Sequence, residues 1–111
     1  MIKVINVREV GYIKRDFSTS TDGHTTHYVY CGRPSVYGNP YFMAYEEQRA
    51  TVIAQFKANT LPTMNLGALK EKAITGDLLL GCFCAPKPCH CDAIKQVLEE
   101  ALAVEAEAAF P

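Results

Sequence analysis

The stretch Leu78-Leu79-Leu80-Gly81-Cys82-Phe83-Cys84-Ala85-Pro86-Lys87-Pro88-Cys89-His90-Cys91-Asp92 decides how this chain is organised. Its first six residues are a short continuous apolar run, the pattern of a strand buried on both faces. Cys84 to Cys91 follows as a Pro-rich loop. From about residue 92, Ile94, Val97, Leu98, Ala101 and Leu102 recur at helical spacing and predict a last amphipathic helix to about residue 109. A buried strand that runs through a loop into a helix is the local unit of an α/β fold.

Upstream segments extend that unit. Met1 to Val10 reads as a first strand, with Ile2, Val4, Ile5 and Val7 β-branched. Residues 12–31 read as a β-ribbon, with Tyr12, Ile13 and Phe17 on one arm and Tyr28, Val29 and Tyr30 on the other. Asp22-Gly23 between the arms is a hairpin signal, because a type I′ turn needs positive φ at both central residues. Gly32 to Pro40 holds two Gly and two Pro in nine residues and is a shaped loop after a strand. Arg49, Val52, Ile53 and Phe56 fall on one face of a helix predicted over residues 46–59. A shorter helix is predicted over residues 66–74, ended by Gly76. The expectation is a mixed α/β fold. It is a small single-domain sheet with packed helices and a β-hairpin inserted over about residues 11–28.

Composition bounds the function. The chain has 111 residues, enough for one domain. Eleven Lys+Arg against twelve Asp+Glu give a net charge of −1, whereas bulk nucleic-acid binding calls for a clearly basic surface. No apolar run reaches the roughly 20 residues of a membrane span. The first residues lack the apolar core of a signal peptide, so a cytoplasmic protein is expected. Five cysteines in a reducing compartment point to metal binding, reactivity or packing rather than to disulfides.

The two Pro/Gly-rich loops each follow a strand. In open α/β sheets ligands bind beyond the carboxyl ends of strands, so the loops are expected to share a pocket. In the first loop, Arg33 offers a bidentate donor for phosphate or carboxylate, and Asn39 offers a donor and an acceptor. Gly32 and Gly38 permit close approach of backbone, and Arg49 could reach the same place from its helix. Against this stand plainer readings: Gly-Asn-Pro is a turn sequence, and either arginine could simply pair with a carboxylate. In the second loop, Cys89 and His90 would sit at the positive end of a helix, where a thiol pKa falls. On that reading Cys89 is a nucleophile, His90 an acid or base, and Asp92 a catalytic carboxylate or simply a capping group. The competing reading is zinc held by Cys82, Cys84, Cys89 and Cys91. However, C-x-C-x4-C-H-C is not the usual ligand spacing, so no cofactor is favoured. Cys31 and Cys82 are expected to pack as small hydrophobes.

Taken together, Gly32-Arg33-Pro34, Gly38-Asn39-Pro40, Arg49 and the Cys82-Phe83-Cys84…Pro88-Cys89-His90-Cys91-Asp92 loop carry a resemblance. The chain resembles a family of small bacterial and phage proteins known only as a domain of unknown function. The resemblance runs over about residues 28–101 and includes the cysteine loop. Position 83 is Phe where the family usually has Trp. Position 91 is Cys where Gly is usual, which opposes ligand approach at that point or adds a thiol. The resemblance implies a bacterial cytoplasm, or the host's for a phage protein, but no reaction.

The leading expectation is therefore a pocket for a phosphorylated or nucleotide-like ligand, with hydrolysis or transfer on that ligand as its chemistry. The alternatives are a non-enzymatic accessory protein that binds a protein partner through the hairpin at residues 11–28, and a zinc-stabilised structural domain.

Overall fold

A computed structural model describes residues 1–108. Four strands form one mixed sheet: β1 (Ile2–Asn6), β2 (Phe17–Thr21), β3 (His24–Tyr30) and β4 (Asp77–Cys82). Their order across the sheet is β1-β4-β3-β2. β4 is parallel to both of its neighbours, and β2 is antiparallel to β3. The apolar run thus lies between two parallel strands, as its unbroken hydrophobicity predicts.

Alternation along β4 divides the core. Leu78, Leu80 and Cys82 face the helices, where they meet Val29, Phe56, Leu69, Ile94 and Leu98. Leu79 faces the other way, against Ile5, Val7, Tyr28 and Tyr30. The chain between β3 and β4 carries α1 (Arg49–Gln55), which widens into a π-helical turn at Phe56–Thr60, and α2 (Gly67–Thr75). The last helix, α3 (His90–Ala108), covers β1 and β4.

Several boundaries differ from the sequence expectation. The first strand stops at Asn6, whose side chain caps a 3₁₀ turn at Val7–Val10. Here a local side-chain bond competes successfully with continued β structure. Gly11 and Tyr12 then take positive φ, so Tyr12 and Ile13 precede the hairpin rather than lie on it. The turn is as read: Asp22 has φ 53° and Gly23 φ 76°. The first helix opens with a 3₁₀ turn at Glu46–Gln48. Phe83 lies past the end of β4 and is half exposed. Helix α3 starts at His90, two residues early, because Asp92 stabilises its first turn from inside. Residue 109, the expected end of that helix, lies outside the described residues. Among the described residues, no helix is long and apolar enough to cross a membrane.

Candidate functional site

Because β3 and β4 are parallel neighbours, the loops that leave them emerge side by side. The Cys31 N–H donates to Gly81 O at 2.9 Å, so the pairing continues to the first residue of the loop. Between the loops lies a cavity of about 360 Å³. That volume falls in the range of small-molecule sites. Gly32, Arg33 and Asn39 line it from the first loop, Arg49, Val52 and Ile53 from α1, and Cys82, Phe83, Cys84, Cys89 and His90 from the second loop and its flanks. Tyr30, Tyr41 and Met43 complete the wall. The two loops singled out in the sequence do meet.

The first loop is held from beneath. Tyr30 Oη donates to Arg33 O at 2.7 Å. Gly32 must lack a side chain here, since a Cβ would run into the Tyr30 ring. The Arg33 guanidinium lies 3.8 Å from the centre of the exposed Phe42 ring, a cation–π stack. Gly38 lies behind this surface rather than on it; a Cβ there would come within 3.1 Å of Arg33 Cγ. Asn39 lines the cavity, but its amide is engaged: Nδ2 donates to Val52 O at 3.2 Å, and Oδ1 accepts the Tyr41 N–H at 2.9 Å. It ties the loop to α1, as the turn reading of Gly-Asn-Pro requires.

Arg49 both pairs with a carboxylate and reaches the cavity. Its Nε and Nη2 donate to Glu46 Oε2 at 3.1 and 2.8 Å, and Nη1 donates to Pro88 O at 2.8 Å. Lys87 approaches the other Glu46 oxygen at 2.9 Å. Hydrogen bonding from Arg49, then Lys87, holds the Glu46 carboxyl below the usual range. Glu46 and Arg49 thus clip the cysteine loop to α1.

His90 is buried, with Nε2 2.8 Å from Cys31 O and its ring edge-on to Phe56. Burial pushes its pKa down, so the imidazole is neutral near pH 7, and the carbonyl partner assigns the proton to Nε2. Asp92 does not line the cavity. Its Oδ2 accepts the Cys89 N–H at 2.9 Å, which is the capping role. Of the three residues read as catalytic, two reach the cavity and one braces the helix.

Cys31 and Cys82 pack in the core, as expected. Three of the four cysteines named in the zinc reading also come together: Cys82, Cys89 and Cys91 are all buried, and their sulfurs lie within 4.8 Å of one another. This group could hold a metal ion. Cys89 Sγ donates to Cys82 Sγ at 3.3 Å. That bond, to a sulfur that gains when deprotonated, pushes the Cys89 thiol up rather than down. Cys82 is correspondingly pushed down, first by the Cys89 thiol and then by that of Cys91. A helix N-terminus therefore does not make Cys89 the thiolate. Cys84, half-buried on the cavity wall, is lowered to about 6, chiefly by the Cys89 thiol and then by Arg49. Cys91 points into the core and is not part of the cavity wall, so it does not block ligand approach.

One positioning residue carries no local signal. Asn6, at the end of β1, donates from Nδ2 to Phe83 O at 3.2 Å and Ala85 O at 2.9 Å. It fixes the start of a loop more than seventy residues away in sequence.

Fold and cavity together define a small α/β domain with a cavity at the carboxyl ends of its parallel strands. The family model described as Domain of unknown function (DUF4326) matches residues 16–100, and the chain belongs to that family. No curated protein and no solved structure matches it.

Proposed function

We propose that the cavity binds a small phosphorylated, nucleotide-like ligand. The observation that carries this reading is the meeting of two arginines with aromatic walls in one concave space: Arg33 and Arg49 beside Tyr30, Tyr41 and Phe83. Guanidinium groups suit phosphate, and flat apolar side chains suit a base. Hydrolysis or transfer on that ligand extends the reading. His90 then handles a proton, and Cys89, which keeps its proton and donates it in a hydrogen bond to Cys82, shapes the site rather than attacks.

The test is a thermal-shift series with nucleoside mono-, di- and triphosphates and with inorganic phosphate. At a hundredfold excess over Kd, a true ligand adds about 2.7 kcal/mol of stability, which raises Tm by several degrees. Arg33→Ala should weaken that shift at least tenfold in ligand concentration. No shift with any compound, or shifts in Arg33→Ala and Arg49→Ala as large as in the wild type at the same ligand concentration, overturns the proposal. A second reading, a zinc-stabilised domain, draws on the convergence of Cys82, Cys89 and Cys91.

A further inference from the structure

We propose that Cys82, Cys89 and Cys91 bind one Zn²⁺ ion, with Cys84 supplying the fourth sulfur from the cavity side. This inference is independent of the ligand reading, and each can fail without the other.

Three geometric facts carry it. First, the sulfurs come from the end of β4, the last residue of the following loop and the first turn of α3, yet lie within 4.8 Å of one another. Zinc–sulfur bonds of about 2.3 Å in a tetrahedron set sulfurs roughly 3.8 Å apart, so these three need only small adjustments, while the Cys84 thiol stands outside the group and has to turn in from the cavity wall. Second, the Ala85 N–H donates to Cys82 Sγ at 3.4 Å. A backbone N–H aimed at sulfur favours the thiolate, the form that ligates metal, and orients it as outer partners of metal ligands do. Third, Cys82, Cys84 and Cys89 all line the cavity, which gives an ion a route to an otherwise buried group.

The alternative is plain packing, since free cysteine is a good small hydrophobe. Cys31 illustrates it: buried, beside Cys91 but outside the group of three, with its Sγ directed at Val29 O at 3.6 Å. Packing gives no reason for three sulfurs to crowd together with a backbone donor on one of them. Soft thiolate donors select Zn²⁺ over hard oxygen-seeking cations, and a set of four sulfurs matches a structural zinc site. His90 is not in the set, because neither ring nitrogen lies with all three sulfurs.

The experiment uses the full chain, purified under a non-chelating reductant, stripped with a chelator and reloaded. Zn²⁺ is titrated against a competing chromophoric chelator, and Co²⁺ is substituted to read sulfur-to-cobalt charge transfer. The expected result is about one ion per chain with a Kd below about 10 nM, as for structural zinc sites. Cys91→Ala should weaken binding at least about a hundredfold, beyond what loss of an outer partner does. Cys84→Ser should retain the ion but lose about a quarter of the charge-transfer intensity, one sulfur of four. Cys31→Ser, which alters a neighbour of Cys91 and no ligand, should weaken binding by less than Cys91→Ala does. Circular dichroism of the metal-free variants checks folding. Should Cys91→Ala not fold, the cobalt spectra of wild type and Cys84→Ser still count the sulfurs. A wild-type Kd above about 1 μM overturns the proposal, since structural sites hold zinc far more tightly. So does an unchanged cobalt spectrum in Cys84→Ser, or a loss in Cys31→Ser equal to that in Cys91→Ala.

Discussion

Replacing Asn6 should unfasten the cavity wall from a distance. Its side chain makes three bonds: two donated to Phe83 O and Ala85 O, and one accepted from the Arg8 N–H at 3.0 Å. Each such bond contributes about 1 kcal/mol net, and the accepted one also caps the following turn. The two loop carbonyls can take up water once the amide is gone, which returns part of the loss. Asn6→Ala should therefore cost about 2–3 kcal/mol. For a chain of this size that lowers Tm by about 10–15 °C. Asn6→Asp is the sharper probe. It keeps the acceptor for Arg8 but sets a carboxylate against two carbonyl oxygens, so at pH 7 it should be less stable than Asn6→Ala. Stability should partly recover below about pH 4, where the carboxyl takes up a proton and can donate again. Urea denaturation at the two pH values measures both effects. The reasoning fails if Asn6→Ala lies within about 0.5 kcal/mol of the wild type, the range of an uninvolved surface site. It fails equally if Asn6→Asp is as stable as wild type at pH 7.

Two further substitutions test separate supports. Asp92→Ala removes the acceptor of the Cys89 N–H and should cost about 1 kcal/mol in urea denaturation, while any nucleotide-induced shift persists; loss of that shift with stability intact would return Asp92 to the site. Burial, helped by the negative charge that Cys31 can carry, raises the Tyr28 hydroxyl to about 12, and the hydroxyl donates to Ile13 O at 2.8 Å. A raised folded pKa means that the fold prefers the protonated form. This contribution is complete below about pH 10, the unfolded value, and falls by about 2–3 kcal/mol as pH rises towards 12. Tyr28→Phe should show a smaller alkaline loss than wild type, and parallel pH–stability curves would contradict the assignment.

What the sequence made legible follows from how local its signals are. The β4 run, the Asp22-Gly23 turn and the Arg49-Val52-Ile53-Phe56 face are patterns within a few residues, and all three appear, the run ending one residue earlier than read, at Cys82. Boundaries shifted where side-chain bonds intervened, as at Asn6 and Asp92. The meeting of the two loops was inferable from strand-end geometry. Their separate duties were not. Asn39 reads equally well as a base-reading amide or a turn residue, and only its bonds to Val52 O and the Tyr41 N–H decide. The Cys89 thiol shows the same limit. Helix position alone predicts a lowered pKa, but a sulfur neighbour seven residues away reverses it. Asn6 was out of reach, because its partners sit on a different element and nothing in the residues around it points there.

The site is built on three adjacent strand ends, each with its own anchor. Pairing sets Asn6 opposite Cys82, and Tyr30 opposite Gly81, so β1, β4 and β3 finish at nearly one level. At that level Asn6 holds the cysteine loop by two carbonyls, Cys82 anchors the sulfur group, and Tyr30 holds the arginine loop through Arg33 O. Glycines make room for this: a Cβ at Gly81 would run into the Tyr28 ring, and one at Gly32 into Tyr30. Parallel pairing is what makes the arrangement possible. Were β4 antiparallel to β3, their two loops would leave opposite edges of the sheet, and neither arginine could stand across from the cysteines. The cavity and the sulfur group thus share a cause in topology and share Cys82 and Cys89 as lining. An ion bound by those sulfurs would fix the wall that faces Arg33 and Arg49, so zinc loading should tighten any ligand the cavity binds. Linkage requires the converse, with ligand raising zinc affinity by the same factor. Paired titrations, ligand with and without zinc and zinc with and without ligand, measure both sides, and equal affinities in the two states would separate the sites energetically despite their common wall.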